Sequence, residues 1–420
     1  MTTSQRSPIW HPFTQHALRP SLPQVVHADG AYLILKDGQR ILDAISSWWV
    51  ITHGHCHPKI VAAIKAQAET LDQVIFAEYT HEPAERVAAR LIALAPPGLG
   101  HVFFSDSGST SVEVALKMAL GYWHHTGEPR HRIIVMEGSY HGDTIGTMSV
   151  GARGAFTDTY EPLLFAVERI PFPAAGREEA TLHALQTFCC RGDAAALLVE
   201  PLVLGAGGMR MYSPQTLAAL RRICTAHGVL FIADEVMTGW GRTGSMFACE
   251  QAEVTPDIAC YSKGLTGGAL PLAVTLCRHE IFQAHYATDR RRTFFHSSSF
   301  TANPIACAAA LANLEIWETE PVLDRIAALT TLQSLQLDRF RDDSRFECVR
   351  QTGTITAMDL KAPDAGYLAE IGPRLQACFR EARVLLRPLG NTIYVLPPYC
   401  VTSEDLEMVY DAIEAAATMS

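Results

Sequence analysis

The chain offers little that would tie it to a membrane, to nucleic acid or to an oxidising compartment. No stretch of its 420 residues is apolar enough to span a bilayer. The opening residues, MTTSQRSPIW, hold no apolar core of a signal peptide, so a cytoplasmic location is expected. Charged residues make up only 19%, the net charge is -10, and no run of Lys or Arg stands out, which argues against nucleic acid as the main partner. The eleven cysteines are scattered with no C-x-x-C pair, so neither a zinc site nor a disulfide framework is indicated, and reduced thiols are the simpler account. Low-complexity linkers and internal repeats are missing too.

What remains is ordinary globular material, 48% hydrophobic, long enough for two or three domains. Strands and helices alternate from about residue 60 to 310, which predicts an α/β fold with a large, doubly wound, mostly parallel sheet. Before it, alternation over Val25 to Leu42, broken at Asp37-Gly38, predicts a hairpin or meander. Around Pro321 the pattern changes. Helix 322–340, strand 346–360, helix 367–383, strand 384–396 and helix 403–417 predict a smaller α+β unit. The expected division is 1–60, a segment joining the small domain and the active site; 61–320, the large domain; and 321–420, the small domain.

The chemistry concentrates at residues 229–268. Val229 to Ala233 reads as a buried parallel strand with Asp234 and Glu235 at its end, where open α/β sheets bind ligands. Lys263 is the only charged residue between Ile258 and Cys277. An amine in such a segment has a lowered pKa and can form a Schiff base with a carbonyl. A pyridoxal phosphate enzyme needs such a lysine and an acid facing the pyridine nitrogen. The alternative is a loop aspartate and a lysine snorkelling out of a core. Gly239, Gly241 and Gly244 also spell G-x-G-x-x-G, but no strand runs directly into them, which speaks against a dinucleotide site.

Other stretches fit one site. Strand 101–104 runs into Ser105-Asp106-Ser107-Gly108-Ser109-Thr110 and then a helix over 111–123, with Thr110 and Glu113 as its capping box. Such a helix start can cradle a phosphate, with Gly108 allowing close approach and Ser109 adding a hydroxyl, or can simply be well capped. Tyr140, beyond strand 132–136, can stack on a flat cofactor or pack beneath a loop. Glu200 is the one charge in an apolar strand over 194–204, buried only if paired. Arg387, in an apolar strand before Pro-Leu-Gly, suits a substrate carboxylate or an internal salt bridge. Trp48 and Trp49 read as lining a pocket or interface. Trp10 to Phe13 reads as a buried aromatic arm. His53, His55 and His57 lack the further ligands a metal needs, so no metal is expected.

In order, SDSGST (105–110), GSYHGDT (138–144), EP (200–201), ADEVMTGWGRTG (233–244), YSKG (261–264) and FFHSSSFTANP (294–304) resemble the class III, omega-type pyridoxal phosphate aminotransferases of fold type I. The resemblance covers nearly the whole chain. WHPF (10–13), SSWW (46–49), GAGGMRMY (205–212), FACE (247–250) and RPLGNTIYVLPPY (387–399) resemble a branch that moves an amino group from S-adenosylmethionine to 8-amino-7-oxononanoate in biotin biosynthesis. The resemblance implies that Lys263 carries the cofactor and shuttles a proton, and that Asp234 pairs with the ring nitrogen. It implies that Gly108 and Ser109 bind the phosphate, with Ser298 and Ser299 from a neighbouring subunit of a homodimer. Tyr140 would lie on the cofactor ring, Trp48 would line the substrate pocket, and Ser297 and Arg387 would contact substrate. Three departures stand out. Phe13 replaces a tyrosine usual in the adenosylmethionine branch and is found in relatives that take lysine as donor. Ser297-Ser298-Ser299 replaces Gly-Pro-Thr, and Ala302 stands where Gly is common. Another omega-amine aminotransferase, an aminomutase, or a regulatory protein with a retained pocket are the alternatives.

Overall fold

The computed structural model describes residues 7–19, 21–364 and 366–418. Its first regular unit is a meander of β1 (Val25–Asp29), β2 (Tyr32–Leu35) and β3 (Arg40–Asp43), turning at Asp37–Gly38 as the alternation predicted.

The main sheet uses β4 (Leu99–Ser105), β5 (Arg132–Met136), β6 (Glu168–Ile170) and β7 (Ala194–Val199). A two-stranded ribbon, β8 (Val203–Leu204) and β9 (Arg210–Met211), follows. β10 (Leu230–Asp234), β11 (Ile258–Tyr261) and β12 (Ala273–Arg278) then complete the sheet in the order β4-β12-β11-β10-β7-β5-β6. Only β12 runs against the rest, pairing antiparallel with β11 and β4. The central strands are buried throughout, which explains their unbroken apolar sequences. Helices on both faces, such as Gly108–Thr126 and Pro304–Thr319, enclose two apolar clusters.

Beyond residue 321, β13 (Phe346–Thr352), β14 (Ile355–Leu360) and β16 (Thr392–Val395) form an antiparallel sheet covered by helices Val322–Arg341 and Ser403–Ala417. The short β15 (Val384–Leu385) leaves this unit and pairs parallel with β3.

Several expectations are corrected. The strand expected over 346–360 is a hairpin, because Gly353 adopts φ 54° against the backbone of Thr243, where a Cβ would lie 2.2 Å from a carbonyl carbon. The strand expected over 384–396 is broken between β15 and β16, because Pro388 removes a donor and Gly390 takes φ 65°. Arg387 therefore sits in irregular backbone rather than in a strand. The strand expected over 194–204 stops at Val199, and Leu202 turns through φ 67°. The helix expected at 111 starts at Gly108. Its capping box is Ser107 with Thr110, and Glu113 instead accepts from the Thr144 hydroxyl at 2.6 Å and the Gly146 N–H at 3.0 Å. Trp10 is not buried: it is 91% exposed.

One side chain ties the loop after β10 to both ends of the chain. The buried Arg242 guanidinium donates to the carbonyls of Ile51 (2.8 Å) and Pro397 (2.8 Å), reaches that of Trp49 (3.4 Å), and lies 5.0 Å from the Tyr399 ring centroid. No carboxylate among the described residues forms an ion pair with it. Carbonyl dipoles and an aromatic face compensate the buried charge instead. Arg242→Ala would strand those carbonyls and leave a void. We expect a loss of about 3–5 kcal/mol of stability, measured by urea unfolding.

Candidate active site

Five strands that point the same way deliver their carboxyl ends to one place. Ser105 ends β4, Met136 ends β5, Val199 ends β7, Asp234 ends β10 and Tyr261 ends β11. The loops leaving them line a cavity of about 410 Å³ whose walls include Gly108, Ser109, Tyr140, Glu200, Asp234 and Lys263. A parallel sheet collects loops distant in sequence in this way, and open α/β sheets bind ligands there.

Lys263 follows β11 with a left-handed φ of 46°, held because Gly264 behind it packs on Trp240 and Thr52. Its Nζ lies 5.0 Å from the Trp49 ring centroid and makes no hydrogen bond or ion pair with any described residue. Burial lowers its pKa to about 8. The negative fields of Asp234 and Glu200 act against that shift, and Arg242 adds to it. The amine is thus about half unprotonated near pH 8, where an ordinary lysine is almost fully charged.

Asp234 is buried and held from two sides. His141 Nδ1 lies 2.7 Å from Oδ2, and the Val236 N–H donates to Oδ1 at 3.1 Å. The other ring nitrogen of His141, Nε2, is buried and has no partner among the described residues. Glu200 accepts from the Tyr140 N–H and the Gly205 N–H, both at 2.9 Å. Burial, reinforced by Asp234, raises its pKa to about 7, while His141 and the two N–H groups oppose the rise. Its partners are therefore backbone amides rather than a cation. Tyr140 lines the cavity, with burial and Asp143 raising its phenol pKa.

The helix starting at Gly108 presents its first N–H groups to the same cavity. A Cβ at residue 108 would meet Val236 Cγ1 at 2.6 Å, and one at Gly142, where φ is 130°, would meet the Ser109 hydroxyl at 2.0 Å. The two glycines let three loops close around the helix end. An amine without a counter-ion, a buried carboxylate fixed by His141, a flat aromatic and a free helix N-terminus together form a donor set that fits pyridoxal phosphate.

A second group of residues forms an aromatic wall. Ser46, Ser47 and Trp49 all adopt positive φ, and Asp43 holds the kink by accepting from the Ser47 N–H and hydroxyl at 2.8 and 2.9 Å. The kink buries Trp49, only 4% exposed, and turns Trp48, 40% exposed, towards the cavity. Phe13 packs edge-on against Trp48 (5.3 Å) and Phe156 (5.8 Å). Arg387 lies over the Trp48 ring at 5.3 Å and donates to the Phe13 carbonyl at 3.3 Å. It forms no ion pair among the described residues, so the internal salt bridge considered from sequence is not found.

Ser297, Ser298 and Ser299 do not line this cavity. Ser297 and Ser299 are exposed on a loop tied by the Thr301 hydroxyl, which accepts from the Ser298 N–H at 2.9 Å. Ala302 in that loop has φ 55°, the conformation that makes glycine common there. The glycines at 239, 241 and 244 lead into turns rather than a helix, so no dinucleotide cradle forms. The three alternating histidines take different polar partners, Asn313 for His53, Asp43 for His55 and Glu320 for His57, while the rings of His53 and His57 meet edge-on at 6.0 Å.

Sequence reading passed over His141, Phe156, Tyr367 and Tyr394. Adjacency to Tyr140 in GSYHGDT was the available signal for His141. Tyr394 lies in the RPLGNTIYVLPPY stretch, whereas Phe156 and Tyr367 lie in distant segments with no local mark.

The lowered pKa of Lys263 has a direct consequence. In protein stripped of cofactor, acylation of Lys263 by a dilute anhydride should rise with pH through a midpoint near 8, while surface lysines follow their ordinary range near 10.5. Mass spectrometry of the labelled peptides would read both curves. A midpoint near 10.5 for Lys263 would show the amine to be solvated.

The comparisons with known proteins agree with this geometry. A profile of the family described as Aminotransferase class-III matches residues 14–417. A protein named adenosylmethionine-8-amino-7-oxononanoate aminotransferase from Synechococcus elongatus is 48% identical over 416 residues, covering 96% of this chain and 97% of that protein. One of the same name from Geobacter sulfurreducens is 39% identical, with 97% and 95% covered. Among solved structures, the Methanocaldococcus jannaschii protein of that name superposes with a TM-score of 0.94 at 32% identity, covering 98% of this chain and 97% of that one. An amine transaminase from an uncultivated Pseudomonas species, crystallised in its PLP-bound form, gives 0.92 at 32% identity over 99% of both chains. With the profile spanning nearly the whole chain and relatives this similar along their full length, the chain belongs to the class-III aminotransferases.

Proposed function

We propose that the protein transfers the amino group of S-adenosylmethionine to the 7-keto group of 8-amino-7-oxononanoate, giving 7,8-diaminononanoate for biotin biosynthesis. The observation that carries the choice of acceptor is Arg387. It is a guanidinium without a carboxylate partner among the described residues, set in an aromatic, largely apolar cavity shared with Lys263. A long apolar chain ending in a carboxylate suits such a cavity, and the rigid fork of Arg suits the carboxylate.

Pyridoxal phosphate, when bound, supplies a carbonyl that takes up an amino group and a ring that accepts the electron pair left when a C–H bond breaks. In this reading the Lys263 amine attaches the cofactor. The same Lys263 amine would serve as the base and acid that moves a proton between the amine-bearing carbon and C4′ of the cofactor. A pKa near 8 lets it do both near neutral pH. Asp234 would face the ring nitrogen, and His141 fixes the orientation of its carboxylate. Gly108 and Ser109 would hold the phosphate at the helix end, and Tyr140 would lie against the ring. Trp48 and Phe13 cover the substrate and exclude water.

We further propose a homodimer in which Ser298 and Ser299 of a neighbouring subunit complete the phosphate site and its Ser297 reaches substrate. Their position outside this chain's own cavity, beside the exposed Phe295 and Phe300, supports it. Eleven cysteines scattered along the chain with no C-x-x-C pair suit a reducing, cytoplasmic compartment.

Phe13 gives the lysine-donor alternative its one specific footing. The test is 7,8-diaminononanoate formation, followed by mass spectrometry, with either S-adenosylmethionine or lysine as donor. Product with S-adenosylmethionine supports the reading, and product with lysine alone overturns the donor. Phe13→Tyr should lower the KM for S-adenosylmethionine about tenfold and leave that for the keto acid unchanged, because a hydrogen bond to a charged group is worth about 1.5–3 kcal/mol. Lys263→Ala should fold with an unchanged circular dichroism spectrum yet complete no turnover. Repeated turnover by that variant would remove Lys263 from its role.

A further inference from the structure

We propose that Tyr367 is a second anchor for the substrate carboxylate, donating its phenolic O–H beside the Arg387 fork. This deepens the function proposed above and rests on it. Arg387 Nη2 donates to the Tyr367 oxygen at 3.4 Å. A guanidinium has only donors, so the phenol oxygen acts there as acceptor and its own proton must point elsewhere. Among the described residues no acceptor takes that proton. Tyr367 is half-buried and lines the same cavity as Arg387 and Trp48.

The ring is held well enough to aim that proton. Phe156 packs on it edge-on with centroids 4.5 Å apart, and Phe13 approaches at 6.5 Å. Arg387 is held in turn by the Phe13 carbonyl and the Trp48 face. A carboxylate offers about four lone-pair positions, of which a bidentate Arg fills two, so an adjacent hydroxyl can fill a third. Tyr394, another phenol in the cavity, is a weaker candidate. It is buried, and its oxygen already accepts from Trp49 Nε1 at 3.1 Å, on the side of the cavity that holds Lys263.

The arrangement also bears on specificity. An arginine alone accepts a carboxylate or a phosphate, whereas a fork flanked by one hydroxyl donor and closed by Phe13, Trp48 and Phe156 favours the smaller, planar anion on an apolar chain.

The test uses the holoenzyme and two nine-carbon probes, nonanoate and the uncharged nonan-1-ol, titrated by calorimetry. Tyr367→Phe keeps the ring and removes only the hydroxyl. It should weaken nonanoate about tenfold and leave nonan-1-ol within about twofold. In turnover, the KM for the keto acid should rise and kcat stay the same. Arg387→Met serves as the control and should weaken nonanoate at least as much. Should Arg387→Met weaken nonanoate while Tyr367→Phe leaves it unchanged, the Tyr367 assignment fails and the carboxylate site stands. Should neither variant affect nonanoate, the carboxylate site itself is wrong. Equal losses for acid and alcohol in Tyr367→Phe would mean that the residue acts as wall and not as donor.

Discussion

An amine held out of water, with no counter-ion in contact, is the constraint the site is built around. Lys263 has no hydrogen-bond or ion-pair partner among the described residues, and burial alone would press its proton off. Asp234 and Glu200 stand near enough to moderate that effect without neutralising the amine. Closer contact with either carboxylate would restore an ordinary ammonium and end its use as a nucleophile and base. Each acid is therefore tied down by something else, Asp234 by His141 and the Val236 N–H, Glu200 by two backbone amides.

Holding these groups close but apart needs a stiff frame, and the parallel sheet supplies it. The ends of β7, β10 and β11 are fixed by ladder hydrogen bonds to one another, so Glu200, Asp234 and Lys263 project from neighbouring strand ends. The frame must also be closed on the side where no strand reaches. Arg242 does this by binding carbonyls from residues 49–51 and from Pro397, which brings the Trp48–Trp49 kink and the tail of the chain against the loop after β10. The pairing of β15 with β3 fixes the same meeting from the other side and carries Arg387 to the cavity.

The aromatic wall follows from that closure. Phe13, Trp48, Phe156, Tyr367 and Arg387 come from four segments separated by more than thirty residues each, and none is well placed until all have met. Three left-handed residues in the 46–49 kink are tolerated because the Asp43 carboxylate and the burial of Trp49 hold them.

The sequence by itself determined the parts whose physics is local or periodic. Unbroken apolar runs ended by single charges marked the parallel strands and set Asp234 and Lys263 at their carboxyl ends. The serine- and glycine-rich stretch at 105–110 announced a helix N-terminus, although its cap lay three residues earlier than expected, because Ser107 and Thr110 satisfy each other. Only the tertiary structure decided what depends on distant segments meeting. It took Arg387 out of a strand, because Pro388 and Gly390 deny the ladder its donors and its φ. It separated Trp48 from Trp49, and it gave Asp234 its partner in His141, ninety-three residues away. It left Ser297 to Ser299 outside the cavity of their own chain. Strand and helix periodicity report which face of an element is buried, but not which remote side chain arrives to meet it. Contacts of the latter kind shift the pKa of Lys263 and shape the pocket.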